Sequence, residues 1–258
     1  MKKNKVKELW RQGKPAVVGW CSTGNPYVAE LLAHKGYDGL VIDWQHGIGV
    51  TQGSVVACLQ AIGNTDTVPM VRLPSNNPYY IQYVLDAGAF GIIVPMVNTP
   101  EDAEKAGRAS RYAPEGIRSI GSSRASLADG LEDYVHHAND EVLCLVMIET
   151  AEALERVEEI AKAPCIDGLY IGPSDLSQAT GVSITGWAAD ERHWAACRKI
   201  LKAAQAAGVA PCHHGAGPAE SAKLIKMGFM MCQVGSDIRM LSAATTSALK
   251  SFREALKD

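Results

Sequence analysis

At 258 residues, with a formal net charge of -3 and 47% hydrophobic content, the chain can bury one large core and carries no charge excess that would favour nucleic acid or an anionic membrane. No apolar run reaches the ~18 residues of a membrane span, and the basic start Met1-Lys2-Lys3-Asn4-Lys5 runs into Lys7, Glu8 and Arg11 rather than an apolar signal region. The seven cysteines are odd in number, scattered and without C-x-x-C spacing, and read as reduced thiols of a cytoplasmic protein.

Ala16 to Cys21 reads as a short buried strand, and Asn25-Pro26 supplies a cap and first-turn proline for the helix after it. Gly39 to Asp43 is a second strand, ending in the polar cluster Asp43-Trp44-Gln45-His46-Gly47, with a helical pattern at Val55, Leu59 and Ile62 behind it. Val68 to Val71 is the third, ending at Arg72, and Asn77-Pro78 opens the next helix. After a fourth strand, Gly91 to Val94, Thr99-Pro100-Glu101-Asp102 combines a capping hydroxyl, a proline and first-turn acids. Residues 112–140 break the alternation with a long loop and an extra helix over 127–137, an insertion of the kind that covers a site. The fifth strand, Leu143 to Ile148, ends in Glu149-Thr150, and the sixth, Gly168 to Ile171, ends in Gly172-Pro173-Ser174-Asp175 and a short helix. A long amphipathic helix is expected over 188–207, a weak seventh strand over 209–211, and an eighth over 230–234, closed by Gly235-Ser236 and a terminal helix from Asp237. About eight strand–helix repeats predict one domain, residues 1–258, folded as a single (β/α)8 TIM barrel.

A barrel core tolerates charge poorly, so charged residues recurring at the carboxyl ends of its strands belong to the site by geometry. Those residues are Asp43 with His46, Arg72, Glu149 and Asp175. Singly they have structural explanations, Asp175 as a helix cap and Arg72 as a partner of Asp43, but the set points to chemistry. Glu149 and Asp175, one βα unit apart, suit Mg2+ or Mn2+ better than a closed zinc site. His46 is a candidate base. Every strand lacks lysine, which leaves an imine mechanism without an obvious nucleophile. His213-His214, placed after the seventh strand, stays open as site lining, and His136-His137 reads as a surface pair.

The segments Ile42-Asp43…His46-Gly47, Val71-Arg72, Leu85-Asp86-Ala87-Gly88, Gly116-Ile117-Arg118, Ile148-Glu149-Thr150 and Ile171-Gly172-Pro173-Ser174-Asp175-Leu176 resemble the HpcH/HpaI class II pyruvate aldolases. The resemblance implies a lyase that reversibly cleaves 4-hydroxy-2-oxo acids to pyruvate or hydroxypyruvate plus an aldehyde, through a metal-stabilised enolate. It implies a divalent cation (Mg2+, Mn2+ or Co2+) on Glu149 and Asp175, with Arg72 stabilising the enolate oxygen. His46, made more basic by Asp86, would manage the proton of the C4 hydroxyl, with Asp43 in the same catalytic group. The Gly172-Pro173-Ser174 segment would hold the donor carboxylate. It further implies a homo-hexamer, a trimer of dimers that exchange the terminal helix, with a small 2-oxo acid and an aldehyde as the other partners. Two positions depart from the commoner pattern: Gln45, where an acid usually stands, and Met147, where a glutamine usually does. Met147 in the donor site leads to the expectation of a broad donor range that includes hydroxypyruvate. Two other readings are a citrate-lyase-type cleavage of a CoA thioester, for which no basic patch is apparent, and a silent ligand-binding barrel. The latter is disfavoured by the joint presence of Asp43, His46, Arg72, Glu149 and Asp175.

Overall fold

Nearly unbroken apolar strands are the mark of a parallel sheet buried on both faces. In the computed structural model, which describes residues 1–257, eight such strands close into a parallel barrel in chain order. The elements are α1 (Lys5–Arg11), β1 (Ala16–Cys21), α2 (Pro26–Ala33), β2 (Gly39–Asp43), α3 (Gln52–Gly63), β3 (Val68–Arg72), α4 (Pro78–Asp86), β4 (Gly91–Val94), α5 (Pro100–Ala109), α6 (Leu131–Glu141) and β5 (Leu143–Ile148). They continue with α7 (Ala151–Glu155), α8 (Val157–Ile160), β6 (Gly168–Ile171), α9 (Pro173–Ala179), a 3-10 turn (Trp187–Ala189), α10 (Glu191–Ala207), β7 (Ala210–His214), α11 (Pro218–Met227), β8 (Met231–Ser236) and α12 (Asp237–Ala255).

Successive strand residues face opposite sides, which sorts the core into two clusters. Val18, Trp20, Val41, Met70, Ile93, Leu145, Met147, Tyr170, Cys212 and Met231 fill the barrel. Their neighbours Leu40, Ile42, Val71, Ile92, Val146, Leu169 and Ile171 pack outward against the helices. The inward series continues in steps of two from Val41 to Asp43, Met70 to Arg72, Met147 to Glu149, Tyr170 to Gly172 and Cys212 to His214. The apolar interior therefore passes directly into a polar layer at the carboxyl edge.

The helix starts follow the capping residues. Asn25 and Asn77 each accept from backbone amides ahead of a first-turn proline, and Thr99 forms a reciprocal box with Asp102. Sequence and structure part in several places, among them strand eight, which runs on through Gly235 and Ser236 instead of ending at 234. The amino terminus forms α1, whose Val6 is buried and whose Trp10 Nε1 donates to the Met230 carbonyl, closing the bottom of the barrel. The extra helix begins at Leu131 rather than 127, after Gly130 with φ 83°. The long helix begins at Glu191, capped by Asp190, because the 3-10 turn takes up 187–189. Strand seven extends through His213 and His214 instead of stopping before them, since the barrel needs a ladder partner for β6 and β8.

α12 stands apart. Of its residues only Asp237 is buried, its carboxylate accepting the Ser22 and Thr23 amides, while Ile238, Leu241, Leu249 and Phe252, and Leu256 just past its end, are exposed. Among the described residues no helix is long and apolar enough to cross a membrane.

Candidate functional site

At the carboxyl edge, Asp43 and Arg72 face each other across the β2–β3 register. Arg72 donates Nε to Asp43 Oδ1 at 2.9 Å and Nη2 to Oδ2 at 2.7 Å, a bidentate pair. Trp20 Nε1 donates to Oδ2 at 3.0 Å and the His46 backbone N–H to Oδ1 at 3.2 Å, so four donors converge on two oxygens. Burial works against the charged form of Asp43, but Arg72 with its two hydrogen bonds, helped by Trp20 and the His46 amide, outweighs it and holds the carboxyl below its usual range. The Arg72 guanidinium also lies 5.0 Å from the Trp20 ring centre.

Glu149 lies just past β5 and is 3% exposed, which is unusual for a carboxylate. Its Oε1 accepts the Met96 backbone N–H at 2.8 Å. Met96 holds φ 55°, a left-handed conformation costly for a side-chain-bearing residue. Among the described residues no protein group donates to Oε2, which lies over Gly172: a Cβ there would stand 2.5 Å from it and 2.9 Å from Met147 Cε. Burial raises the Glu149 carboxyl, the Met96 amide opposes that, the negative charge of Asp175 adds to it, and Arg72 counters it. The Asp175 charge thus acts on Glu149, and among the described residues neither carboxylate forms a salt bridge. Asp175 and Ser174 are exposed in the first turn of α9, reached through Gly172 and Pro173. A largely buried carboxylate with one oxygen lacking a protein donor, a second carboxylate whose charge it feels and an oxygen-only donor set fit a hard divalent cation.

His46 is exposed at the rim. Asp86, expected to influence it, instead accepts from Arg118 Nη2 at 2.8 Å, and among the described residues no hydrogen bond joins it to His46. The reason is positional: Asp86 ends α4 and faces the inserted loop, where Arg118 is sandwiched between Tyr112 and Tyr134 at 4.5 and 5.4 Å. Gln45 Oε1 is buried and has no hydrogen-bond partner among the described residues. Met147 is 1% exposed and belongs to the barrel interior, under the mouth rather than in it.

Three participants escaped the sequence reading. Trp20 and Tyr170 lie inside the first and sixth strands, and Met96 just past the fourth. Strand parity signals the first two, but nothing in sequence signals a backbone amide. Tyr170 Oη lies 3.3 Å from His214 Nδ1, and His214 packs edge-on to Trp20 at 4.7 Å. Burial, then the positive charges of Arg72 and Arg239, push His214 down to about 3, so it is a neutral wall of the site. His213, next to it, points the other way, into the helix shell.

The family model described as HpcH/HpaI aldolase/citrate lyase matches residues 17–244. A 4-hydroxy-2-oxo-heptane-1,7-dioate aldolase of Salmonella dublin is 36% identical over 255 residues, 97% of this chain and 95% of that one. A crystal structure of a HpcH/HpaI aldolase/citrate lyase family protein from Burkholderia cenocepacia J2315 superposes with TM-score 0.88 at 33% identity, covering 97% of this chain and 100% of that one. A crystal structure of a citrate synthase superposes with TM-score 0.89 at 26% identity, covering 99% and 100%.

Proposed function

The chain belongs to the HpcH/HpaI aldolase/citrate lyase family and is a class II aldolase, and we propose that, as one domain, it cleaves 4-hydroxy-2-oxo acids reversibly to pyruvate or a pyruvate-like donor and an aldehyde. The observation that supports this most is the buried Glu149 carboxylate, its Oε2 without a protein donor beside Asp175. Glu149 and Asp175 would hold Mg2+, Mn2+ or Co2+. When bound, that cation supplies Lewis acidity to the donor's keto group.

The remaining work falls to the chain's own groups. Arg72 is held rigidly by Asp43, so its charge is fixed beside the place where the donor's oxygen becomes negative, without reorganising during the reaction. The exposed backbone at Ser174, after Gly172 and Pro173, receives the donor carboxylate. His46, free at the rim with only its amide committed to Asp43, moves the proton of the C4 hydroxyl as the carbon–carbon bond breaks. Met147, packed beneath Gly172 under the mouth, forms the floor below the donor's methyl end, and a thioether there demands no hydrogen bond of a hydroxyl. The exposed apolar seam of α12 supports a hexamer built from dimers that exchange this helix. Seven free cysteines support work in the cytoplasm.

The test is exchange of pyruvate methyl protons with deuterated water, alongside aldehyde release from a panel of 4-hydroxy-2-oxo acids. Glu149→Gln and Arg72→Ala are expected to lose both, and His46→Ala to keep exchange while cleavage falls on the order of 10² to 10⁴ fold. Cleavage that persists in chelator, or full exchange in Arg72→Ala, overturns the assignment.

A further inference from the structure

A second group of ligating side chains lies outside the barrel mouth, between α10 and β7. His193, Cys197 and His213 are each fully buried, and their ligating atoms lie within 4.8 Å of one another. Cys197 Sγ is 3.3 Å from His193 Nε2 and 3.7 Å from His213 Nε2. Their positions follow from local geometry. His193 and Cys197 are one helical turn apart on the inner face of α10, and His213 projects outward from β7 on the parity opposite to Cys212.

Counting hydrogens exposes an imbalance. The Ser177 hydroxyl donates to the Pro173 carbonyl at 2.5 Å, so its oxygen accepts from His193 Nδ1 at 2.9 Å. His213 Nδ1 faces the His214 carbonyl at 3.0 Å, and a carbonyl can only accept. Both rings are fully buried and, among the described residues, neither has a salt-bridge partner to support a charge, so each is neutral and has a single N–H, placed on Nδ1. Two bare Nε2 lone pairs therefore converge on one sulfur that has one hydrogen to offer. One lone pair is left without a donor, in a pocket walled by Trp187, 4.6 and 5.8 Å from the two rings, and by Phe229.

We propose that His193, Cys197 and His213 form a buried three-ligand site for a thiophilic d10 cation, copper(I) or zinc(II), separate from the carboxylate pair at the barrel mouth. An ion about 2.3 Å from sulfur and about 2.0 Å from nitrogen sets S···N near roughly 3.5 Å. The observed 3.3 and 3.7 Å bracket that span. Each histidine's other nitrogen is already engaged with an oxygen, the arrangement that orients ligating imidazoles. Binding exchanges the thiol proton for the cation: S–H breaks, S–metal forms, and the proton leaves to solvent. Copper(I) leaves the site electrically neutral, whereas zinc leaves one positive charge in an aromatic-walled pocket, which favours copper(I). Ser177 ties the cluster to α9, two residues beyond Asp175, so an ion here braces the helix that carries Asp175.

The experiment supplies copper or zinc during expression, strips oxygen-bound divalent ions from the purified protein with chelator under reducing conditions, and measures the retained metal. Retention of one ion per chain in the native protein, lost in Cys197→Ser with the fold preserved, is the expected result, and which metal is retained identifies the occupant. X-ray absorption on the native protein should show one sulfur and two nitrogen neighbours, a readout that survives if the variant fails to fold. No retained metal, equal retention in Cys197→Ser, or a shell of oxygen alone overturns the proposal and leaves a hydrogen-bonded packing cluster.

Discussion

Asp43→Asn is the sharpest single perturbation of the site, because the carboxylate is almost isosteric with the amide while its hydrogen-bond inventory is not. Oδ1 accepts from Arg72 Nε and the His46 amide, and Oδ2 from Arg72 Nη2 and Trp20 Nε1. Whichever way the asparagine is turned, its NH2 group meets two N–H donors, so two of the four hydrogen bonds are lost together with the ion pair. The pair is largely out of water, with side chains 12% and 5% exposed. Removing one partner of a buried pair costs about 3–5 kcal/mol, and the opening toward the barrel mouth places this site near the lower end, about 3 kcal/mol. For a chain of this size that is a fall in Tm of roughly 6–12 °C, read by calorimetry near neutral pH. Adding Arg72→Leu removes the stranded charge, and the double variant should regain part of the loss. A Tm within about 2 °C of the native protein for Asp43→Asn would show that Arg72 is not held by this pair. The sign with pH follows: the folded Asp43 carboxyl is depressed, so its contribution is complete above its unfolded pKa and is lost as pH falls through the folded value.

Gly172→Ala should fold, since φ there is -91°, yet lose most metal affinity and activity, because the new Cβ would stand 2.5 Å from Glu149 Oε2; native metal titrations in that variant would contradict the placement. Metal affinity should begin to fall, on acidification, above the range of an ordinary glutamate, because burial and the Asp175 charge raise Glu149 and only its ionised form binds; Mn2+ binding followed across pH checks this, and a constant affinity down into the ordinary range refutes it. Truncation after Met240 removes Leu241, Leu249, Phe252 and Leu256 and should yield monomers or insoluble protein in light scattering; an unchanged native mass would show that the seam joins no subunits.

The eight strands and the four charges at their ends could be read from the chain, because buried parallel strands are written as uninterrupted apolar runs and a charge that ends such a run has few places to go. The starts of α2, α4 and α5 were equally plain, since Asn-Pro and Thr-Pro-Glu-Asp act through neighbours a few residues away. The structure alone decided what depends on separation in sequence. Trp20 reaches Asp43 and the Met96 amide reaches Glu149 only once the barrel closes. Asp86 and Arg118, 32 residues apart, meet because α4 and the inserted loop lie side by side. His213 and His214 show the division most directly. As a dipeptide they are equivalent, but once β7 is paired on both edges the pleat sends one imidazole into the barrel and the other to Cys197. Alternation along a strand is local, whereas which strand, how long and beside which helix are settled by the packing of the closed sheet.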